Sequence, residues 1–342
     1  MGRAHIEFLC GRIPLGVTGL HLTFDTENDY LPDSSFAQAT RSSGSIDRWI
    51  DNVVPLCIGL VSRANTVVVR SVTHAYVSTI LFRISVADSA RLATVDCYAR
   101  RPSLSSHRLT LPPISTDCSL LELRLNGIAP VWTVDTVYMT LTHLSLRNIF
   151  APVDMVVLRA LITSSPALIN LELVLVNIVW DLSSDCPSIS APAVTHLTFG
   201  LLFHLPAKLV LPALQSLSIE SSLAGWTETL DACSSYLETI DAFALECRTL
   251  DLTALTMMGR LRRAKYIDLS DCSPGFVDFV GENLARSQPK SSVTEWVVPF
   301  GTPLAVIRRF LRFSESPEVV VYERSKEQHE MEYRLTPASE SF

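Results

Sequence analysis

The chain has 342 residues, a net charge of −7, 48% hydrophobic residues and a mean hydropathy of +0.28. This length exceeds what one compact core usually holds, so we expect two domains or one elongated repeat architecture. The apolar fraction excludes disorder for most of the chain. The acidic balance, without any basic block, argues against nucleic acid as a partner.

The sequence indicates an intracellular protein that does not span a membrane. A spanning helix needs about 20 uninterrupted apolar residues, and the densest apolar run, 171–180, contains Glu172 and Asn177. The first residues carry charges where an export signal would be apolar. Eight cysteines are scattered without a C-x-x-C pair, as expected for reduced thiols. We therefore predict a cytoplasmic or nuclear location.

The amino-terminal part contains two segments that the repeat described below does not include. Residues 1–15 form a short lead, and the first strand-like stretch begins near Val17. A polar run at about 25–44 is longer than loops in compact domains usually are. It is either a binding loop or an insertion, and we interpret it as an insertion.

One spacing, with apolar residues at i, i+3 and i+5, recurs along the chain. In L-x-x-L-x-L the last two leucines alternate on a short strand and face inward, while the first enters the same core from the preceding turn. Eight segments carry it clearly: 118–128, 139–149, 166–178, 192–202, 212–223, 235–243, 262–272 and 292–300. Weaker copies lie at 16–24, 64–72, 90–98 and 317–323.

The period of this pattern predicts the fold. The middle apolar residues are 20 to 29 positions apart: Val95, Leu123, Leu144, Leu171, Leu197, Leu217, Ile240, Ile267 and Trp296. Such periods are typical of leucine-rich repeats, in which neighbouring units bury one another's apolar edges. We predict an α/β leucine-rich-repeat solenoid, or horseshoe, over residues 16–323, with about ten to twelve units, an inner parallel sheet and outer helices or extended links.

The segments between the predicted strands favour helices where they are long. Helical spacing occurs at 152–165, 225–236, 274–288 and 303–316. Between Leu197 and Leu217 the spacing is shorter, and we expect an extended or 3₁₀ connection. Residues 324–342 are predicted to be a solvated polar tail with room for a short capping helix.

Several of these segments resemble the leucine-rich-repeat regions of basidiomycete F-box-like proteins, which are fungal. The resemblance covers roughly residues 16 to 323 and is carried by P-A-L-x-x-L-x-[LIF] units at 166–173, 192–199 and 212–219, AKYIDLSDC at 264–272, RWIDNVV at 48–54 and SRANTVVVRS at 62–71. It implies selection of substrates for ubiquitin ligation. Such proteins usually start with an F-box that docks on a Skp1-type adaptor. The strand near Val17 leaves no room for one, so we do not expect that adaptor to bind.

Motifs for catalysis and metal binding are missing from the sequence. It contains no G-x-S-x-G elbow, phosphate-binding loop, dinucleotide fingerprint or H-E-x-x-H pair. His143 and His196 occupy the same T-H-L position, which points away from the core on a strand. A metal site would need further converging ligands, and Asn170 between them is a poor one. We predict no catalytic residue, no metal and no cofactor.

The candidate partner-binding residues flank the inward-facing pairs and should lie on the inner sheet face. They are Asp96, Tyr98, Glu122, Arg124, Asn126, His143, Arg147, Asn170, Glu172, Glu220, Asp241, Phe243, Tyr266, Asp268 and Glu295. Acids outnumber bases, so we predict a protein partner with a basic surface, anchored by the aromatics and steered by the acids. The alternative is that these carboxylates only keep an apolar protein soluble.

These observations predict a protein-binding scaffold rather than an enzyme. Without an F-box, a decoy or regulatory role fits as well as substrate selection. One alternative is an enzyme regulator such as a GTPase activator, for which Arg124, Asn126 and Arg147 are the inner-face candidates. Another is a non-functional gene fragment, because a solenoid without terminal caps exposes an apolar end.

Overall fold

The structure is a computed structural model in which the chain divides into two compact units, residues 1–193 and 194–342. It describes residues 18–25, 60–61, 63–73, 77, 92–101, 120–128, 138–179, 188–200, 209–220, 226–284, 292–313, 319–324 and 330–334.

The first unit is built on six parallel strands that follow one another in chain order. They are β1 (Leu20–Asp25), β2 (Ala64–Thr73), β3 (Thr94–Arg101), β4 (Glu122–Asn126), β5 (His143–Asp154) and β6 (Asn170–Val179). Each strand pairs with the next one along the chain. Helix α1 (Met155–Thr163) follows β5, and the short strand β7 (Ile189–Ser190) comes after β6.

The second unit also has six parallel strands, and here helices fill most of the connections. Its elements are β8 (His196–Gly200), β9 (Leu209–Val210), β10 (Ser216–Glu220), α2 (Trp226–Leu237), β11 (Ala242–Glu246), α3 (Leu252–Gly259), β12 (Tyr266–Asp268), α4 (Pro274–Leu284), β13 (Glu295–Pro299), α5 (Leu304–Phe313), β14 (Val320–Arg324) and β15 (Glu330–Arg334). The parallel strands are β8, β10, β11, β12, β13 and β14, and β15 pairs antiparallel with β14. The chain is therefore an α/β protein with twelve parallel strands among its described residues, as the apolar spacing predicts.

Apolar triads at i, i+3 and i+5 form the core beneath the strands. Ten triads are buried at all three positions, and their first residues are Ala64, Leu92, Leu120, Leu141, Leu168, Val194, Leu214, Ile240, Ala264 and Val293. In the triad that begins at Leu141, for example, Leu144 and Leu146 lie on β5 and Leu141 lies in the turn before it. The alternation of a strand places the last two side chains on one face.

Backbone hydrogen bonds extend this pattern into the turn before each strand. The carbonyl of Leu121 accepts from the amides of Thr142 and His143, at 2.8 and 3.0 Å. The carbonyl of Thr142 accepts in the same way from Ile169 and Asn170, at 2.9 Å each. Because each entrance is bonded to the previous one, neighbouring strands within a unit begin in register.

Three neighbouring strands of the first unit also bend at corresponding positions. Gly127, Asn148 and Leu175 have positive φ angles of 74°, 52° and 54°. The pairing places Asn148 beside Leu175, and the amide of Gly127 donates to the carbonyl of Arg147 at 2.8 Å. Glycine and asparagine tolerate this left-handed conformation, whereas leucine adopts it at a cost of about 1–2 kcal/mol. The line of bends marks the end of the regular part of these strands.

Among the helices whose bounds the structure describes, four of five were predicted from the sequence. Helices α1, α2, α4 and α5 fall on the predicted segments, with α2 ending one residue later at Leu237. The fifth, α3, was missed because it is short, although Ala254, Met257 and Met258 have helical spacing and are buried. Leu209–Val210 is extended as expected, while residues 201–208 lie outside the described part.

Two predictions were wrong, and others fall outside the described residues. The pivot of the 235–243 segment is Phe243, which pairs with Leu217 and Ile267, and not Ile240, which opens the triad. Glu330–Arg334 forms β15 instead of a solvated tail or capping helix, because the edge of β14 offers unpaired backbone groups. The predicted lead at 1–15 is not described, and of the polar run at 25–44 only Asp25 is, as the last residue of β1.

Candidate functional site on the exposed face of the strands

The parallel register aligns the exposed side chains of the first unit in rows across its strands. An entry row contains Thr94, Glu122, His143 and Asn170, each at the start of its strand; a middle row contains Asp96, Arg124, Ser145 and Glu172; an outer row contains Arg70, Tyr98, Asn126 and Arg147. Buried triad residues alternate with these positions, so the rows lie on the face opposite the core.

The middle and outer rows enclose a shallow pocket of about 430 Å³. We call it the arginine pocket, and its lining residues are Arg70, Asp96, Tyr98, Arg124, Leu125, Asn126, Ser145, Arg147 and Glu172. They come from five consecutive strands, β2 to β6. The pocket therefore exists only when the strands are paired in this register.

Glu172 is held by two donors from the neighbouring strand. Arg147 donates through Nη2 to one carboxylate oxygen, and the hydroxyl of Ser145 donates to the other. Burial by itself raises the pKa of Glu172, but these hydrogen bonds and the charges of Arg147 and Arg124 outweigh it and hold the pKa below its usual value. Glu172 is consequently an ionised structural acid at neutral pH.

Asp96 lies in the same row but has the opposite shift. Its half-buried carboxyl has a raised pKa because burial outweighs the attraction of Arg124 and Arg70, and the charge of Glu122 raises the pKa further. The carboxylate of Asp96 is thus the one in this pocket that the protein stabilises least.

Arg124 is the most accessible charged group of the pocket among those with a described ion pair. Its side chain is 52% exposed, and Nη2 lies 3.1 Å from Oε2 of Glu122 in the entry row. In the outer row, Asn126 Oδ1 accepts a hydrogen bond of 2.9 Å from the side chain of Asn148. Two acids of this face, Glu122 and Glu172, are therefore paired with arginines, and the side chain of Arg124 extends into solvent.

The exposed face of the second unit has a different charge pattern. Glu220 on β10 pairs in register with Glu246 on β11, which forms an ion pair of 2.7 Å with Arg248. Asp268 Oδ2 accepts from Arg324 at 2.8 Å and from the hydroxyl of Tyr266 at 3.2 Å. Burial, with the nearby charge of Asp268, raises the pKa of Tyr266. This face is predominantly acidic.

Most predicted partner-binding residues lie where the sequence indicated. In the first unit Asp96, Tyr98, Glu122, Arg124, Asn126, His143, Arg147, Asn170 and Glu172 all stand in the three rows, and in the second Glu220, Tyr266, Asp268 and Glu295 stand on the exposed face of their strands. Asp241 is exposed but precedes β11 and lines a separate cavity of about 520 Å³. Phe243 was wrongly placed: it is 0% exposed and belongs to the core, because the register is shifted by three residues from the predicted one.

Two polar residues of the arginine pocket, Arg70 and Ser145, were missed in the sequence. Arg70 lies three residues after Val67, as Tyr98, Asn126 and Arg147 do after their pivots. Ser145 occupies the middle-row position directly after Leu144. The same spacing would have identified both if the weaker repeat at 64–72 had been included and if Ser145 had been counted with the other polar positions.

The histidines do not form a metal site in the described residues. Nδ1 of His143 lies 2.8 Å from the hydroxyl of Thr142, and Nδ1 of His196 lies 2.7 Å from that of Thr195. Across the part of the chain that the structure describes, no three potential ligands converge on one point. No described helix has the length and apolar character needed to cross a membrane.

Comparisons with protein-family models, with curated proteins and with solved structures found no match to this chain.

Proposed function

We propose that the chain is a leucine-rich-repeat solenoid of the horseshoe class that binds a protein partner through the exposed face of its parallel strands. One observation carries the proposal: charged and aromatic side chains stand in register across five strands and line a preformed pocket opposite the buried triads. Solenoids use such continuous strand faces as binding surfaces. The ten buried triads and their period of 20 to 29 residues support the repeat class.

The charge of the second unit supports a basic contact on the partner. Glu220, Glu246, Asp268 and Glu295 contribute carboxylates to one face, and Tyr266 adds a half-buried aromatic ring. Opposite charges across an interface steer encounter and fix orientation, and a tyrosine supplies contact area at low entropic cost. We propose that this face meets a basic surface.

The resemblance to F-box-like proteins extends the proposal to substrate selection for ubiquitin ligation. The strand face would hold the substrate, and an adaptor-binding module would have to connect it to the ligase. Mixing the purified chain with a Skp1-type adaptor in a gel-filtration experiment tests this extension. Co-elution would support it, and separate elution would leave a regulatory or decoy role for the same face.

Binding explains the arginines of the first unit better than nucleotide chemistry does. Arg124 is paired with Glu122, and Arg147 is paired with Glu172. A GTPase activator would have to direct one of these guanidiniums into the nucleotide site of another protein, whereas both ion pairs hold the arginines against the strand face. The geometry therefore favours the binding function over that alternative.

Affinity capture with charge reversals tests the binding face. The wild-type chain is compared with Arg124→Glu in the first unit, where the side chain is 52% exposed, and with Glu295→Lys in the second, where the side chain is partly exposed on β13. Matched controls are Arg308→Glu on α5 and Glu238→Lys after α2, which are exposed away from the strand face. Circular dichroism verifies that every variant is folded.

We expect at least one strand-face variant to retain about ten-fold less of a captured partner, as for loss of a charged interface contact, while both controls retain it. If the controls lose the partner equally, or if both strand-face variants retain it fully, the proposed binding face is wrong.

A further inference from the structure

We propose that the arginine pocket of the first unit binds a protein segment that carries carboxylate side chains at alternating positions. This inference rests on the proposed binding function and names the chemistry of the partner at this site. It differs from the basic partner that the composition of the whole face predicts.

The span of the arginines matches the length of a short extended peptide. Arg70 lies on β2, Arg124 on β4 and Arg147 on β5, so the outer two are three strand steps apart. At the spacing of paired strands this is about 14 Å. Alternate side chains of an extended segment are about 7 Å apart. Carboxylates at i, i+2 and i+4 therefore cover the same length as the three arginines.

The charges that line the pocket favour an anionic ligand. Among the residues that line the pocket, three guanidiniums face two carboxylates, Asp96 and Glu172, and the carboxylate of Glu122 lies outside this lining beside Arg124. Glu172 is already bonded to Arg147 and Ser145, which leaves it little capacity to attract a basic partner. A guanidinium has five donors in a planar fork, so Arg147 or Arg124 can hold its protein partner and a ligand carboxylate at once.

Asp96 is the group that competes with such a ligand. It lies close enough to Arg70 and Arg124 for their charges to act on it, and Glu122 on β4 acts on it as a like charge. A ligand carboxylate that approaches these two arginines would be repelled by Asp96. Removal of the charge at this position should therefore strengthen binding, which is the opposite of what a pocket for a basic partner would show.

The test measures fluorescence anisotropy of a defined probe with the full chain. The probe is a labelled nine-residue peptide in which glutamate and serine alternate, and the control peptide has glutamine in place of glutamate. The variants are Arg124→Ala, Asp96→Asn and Arg308→Ala. Arg308 is an exposed arginine on α5, so its loss changes the net charge equally without touching the pocket.

We expect the glutamate peptide to bind and the glutamine peptide not to bind. Loss of a charge-assisted contact should weaken binding by about ten-fold or more in Arg124→Ala, whereas Asp96→Asn should tighten it several-fold and Arg308→Ala should leave it unchanged.

Three results would overturn the inference: no binding of the glutamate peptide, equal binding of both peptides, or equal weakening by Arg124→Ala and Arg308→Ala. The glutamate peptide could fail to bind while the strand-face variants still lose the protein captured in the affinity experiment. In that case the proposed function stands, and only the inference that the pocket binds carboxylates is wrong.

Discussion

Two carboxyl groups in one row of the first unit show how local surroundings decide the role of a residue. Asp96 and Glu172 both follow a buried pivot directly and both face away from the core. Burial opposes the charged form at each site. Glu172 receives hydrogen bonds from Arg147 and Ser145 that overcome this cost, whereas Asp96 has only the longer-range attraction of Arg124 and Arg70. The same position therefore holds a carboxylate that stabilises the fold in one repeat, and a carboxylate whose charged form is destabilised in another.

These opposite shifts predict opposite effects of neutral replacements on stability. The raised pKa of Asp96 means that its charged form opposes folding, so its contribution is most favourable below the unfolded value of 3.8 and is lost as pH rises. The lowered pKa of Glu172 means that its contribution is present above the unfolded value of 4.5 and is lost as pH falls. At neutral pH we expect Asp96→Asn to raise the free energy of unfolding and Glu172→Gln to lower it.

Urea denaturation at neutral pH and at about the unfolded carboxyl pKa values measures both effects. Both differences in the free energy of unfolding from the wild type should become smaller on acidification, because protonated Asp and Glu are uncharged like Asn and Gln. Effects of the same sign at neutral pH would contradict the electrostatic explanation.

At the scale of elements, two helices, α1 and α3, depend on the aspartates that precede them. Asp154 accepts from the amide of Val156 at 2.7 Å before α1, and Asp251 accepts from Thr253 and Ala254 at 2.7 and 3.3 Å before α3. These bonds satisfy amides that have no partner within the helix. For a helix as short as α3, the cap is a large part of what defines its first turn.

We predict that Asp251→Ala lowers the free energy of unfolding by about 1 kcal/mol, the usual effect of removing an N-cap. Asp251→Asn should change it by only a few tenths, since asparagine caps about as well. Thermal unfolding followed by circular dichroism compares the two variants. An equal loss in both would show that the charge of Asp251, and not its hydrogen bonds, stabilises α3.

The elements that the sequence predicted well are those with strong periodicity. The strands follow from the apolar triads, and α1, α2, α4 and α5 follow from helical spacing in the long connections. The region before β11 was ambiguous because Leu237, Ile240 and Ala242 have the same i, i+3, i+5 spacing as the true triad that begins at Ile240. Leu237 ends α2, so only the extent of that helix decides between the two registers.

At the scale of the whole molecule, β15 covers the outer edge of β14 in the second unit. An uncovered edge strand presents backbone donors and acceptors to other chains and promotes association. The antiparallel pairing from Val320 with Arg334 to Arg324 with Glu330 occupies these groups. Residues Glu330–Arg334 are thus part of the fold, although their composition is that of a solvated tail.

Deletion of residues 326–342 is therefore expected to cause concentration-dependent self-association, measured by analytical ultracentrifugation. A matched deletion of residues 336–342 keeps β15 and should leave the association state of the chain the same as in the wild type. If both truncated forms behave like the full chain, β15 does not protect the edge.

The polar face was predictable only as a set of positions. Period-two alternation around each pivot indicates which side chains face away from the core. It correctly placed thirteen of the fifteen candidates on the exposed face of the strands. The alternation does not indicate which charges meet. The pairs of Arg147 with Glu172 and Arg124 with Glu122, and the inclusion of Arg70, depend on neighbouring strands and on side-chain conformations.

The sequence by itself determined that short strands recur, that they are parallel, and which face of each one is buried, because the apolar spacing of a repeat is a local property of the chain. Only the tertiary structure decided the register between strands, since connections of variable length separate them and the hydrogen bonds at each strand entrance set their alignment. That register brings three arginines and two acids from five strands into one pocket. The chemistry of the binding face is thus a property of the assembled sheet of the first unit.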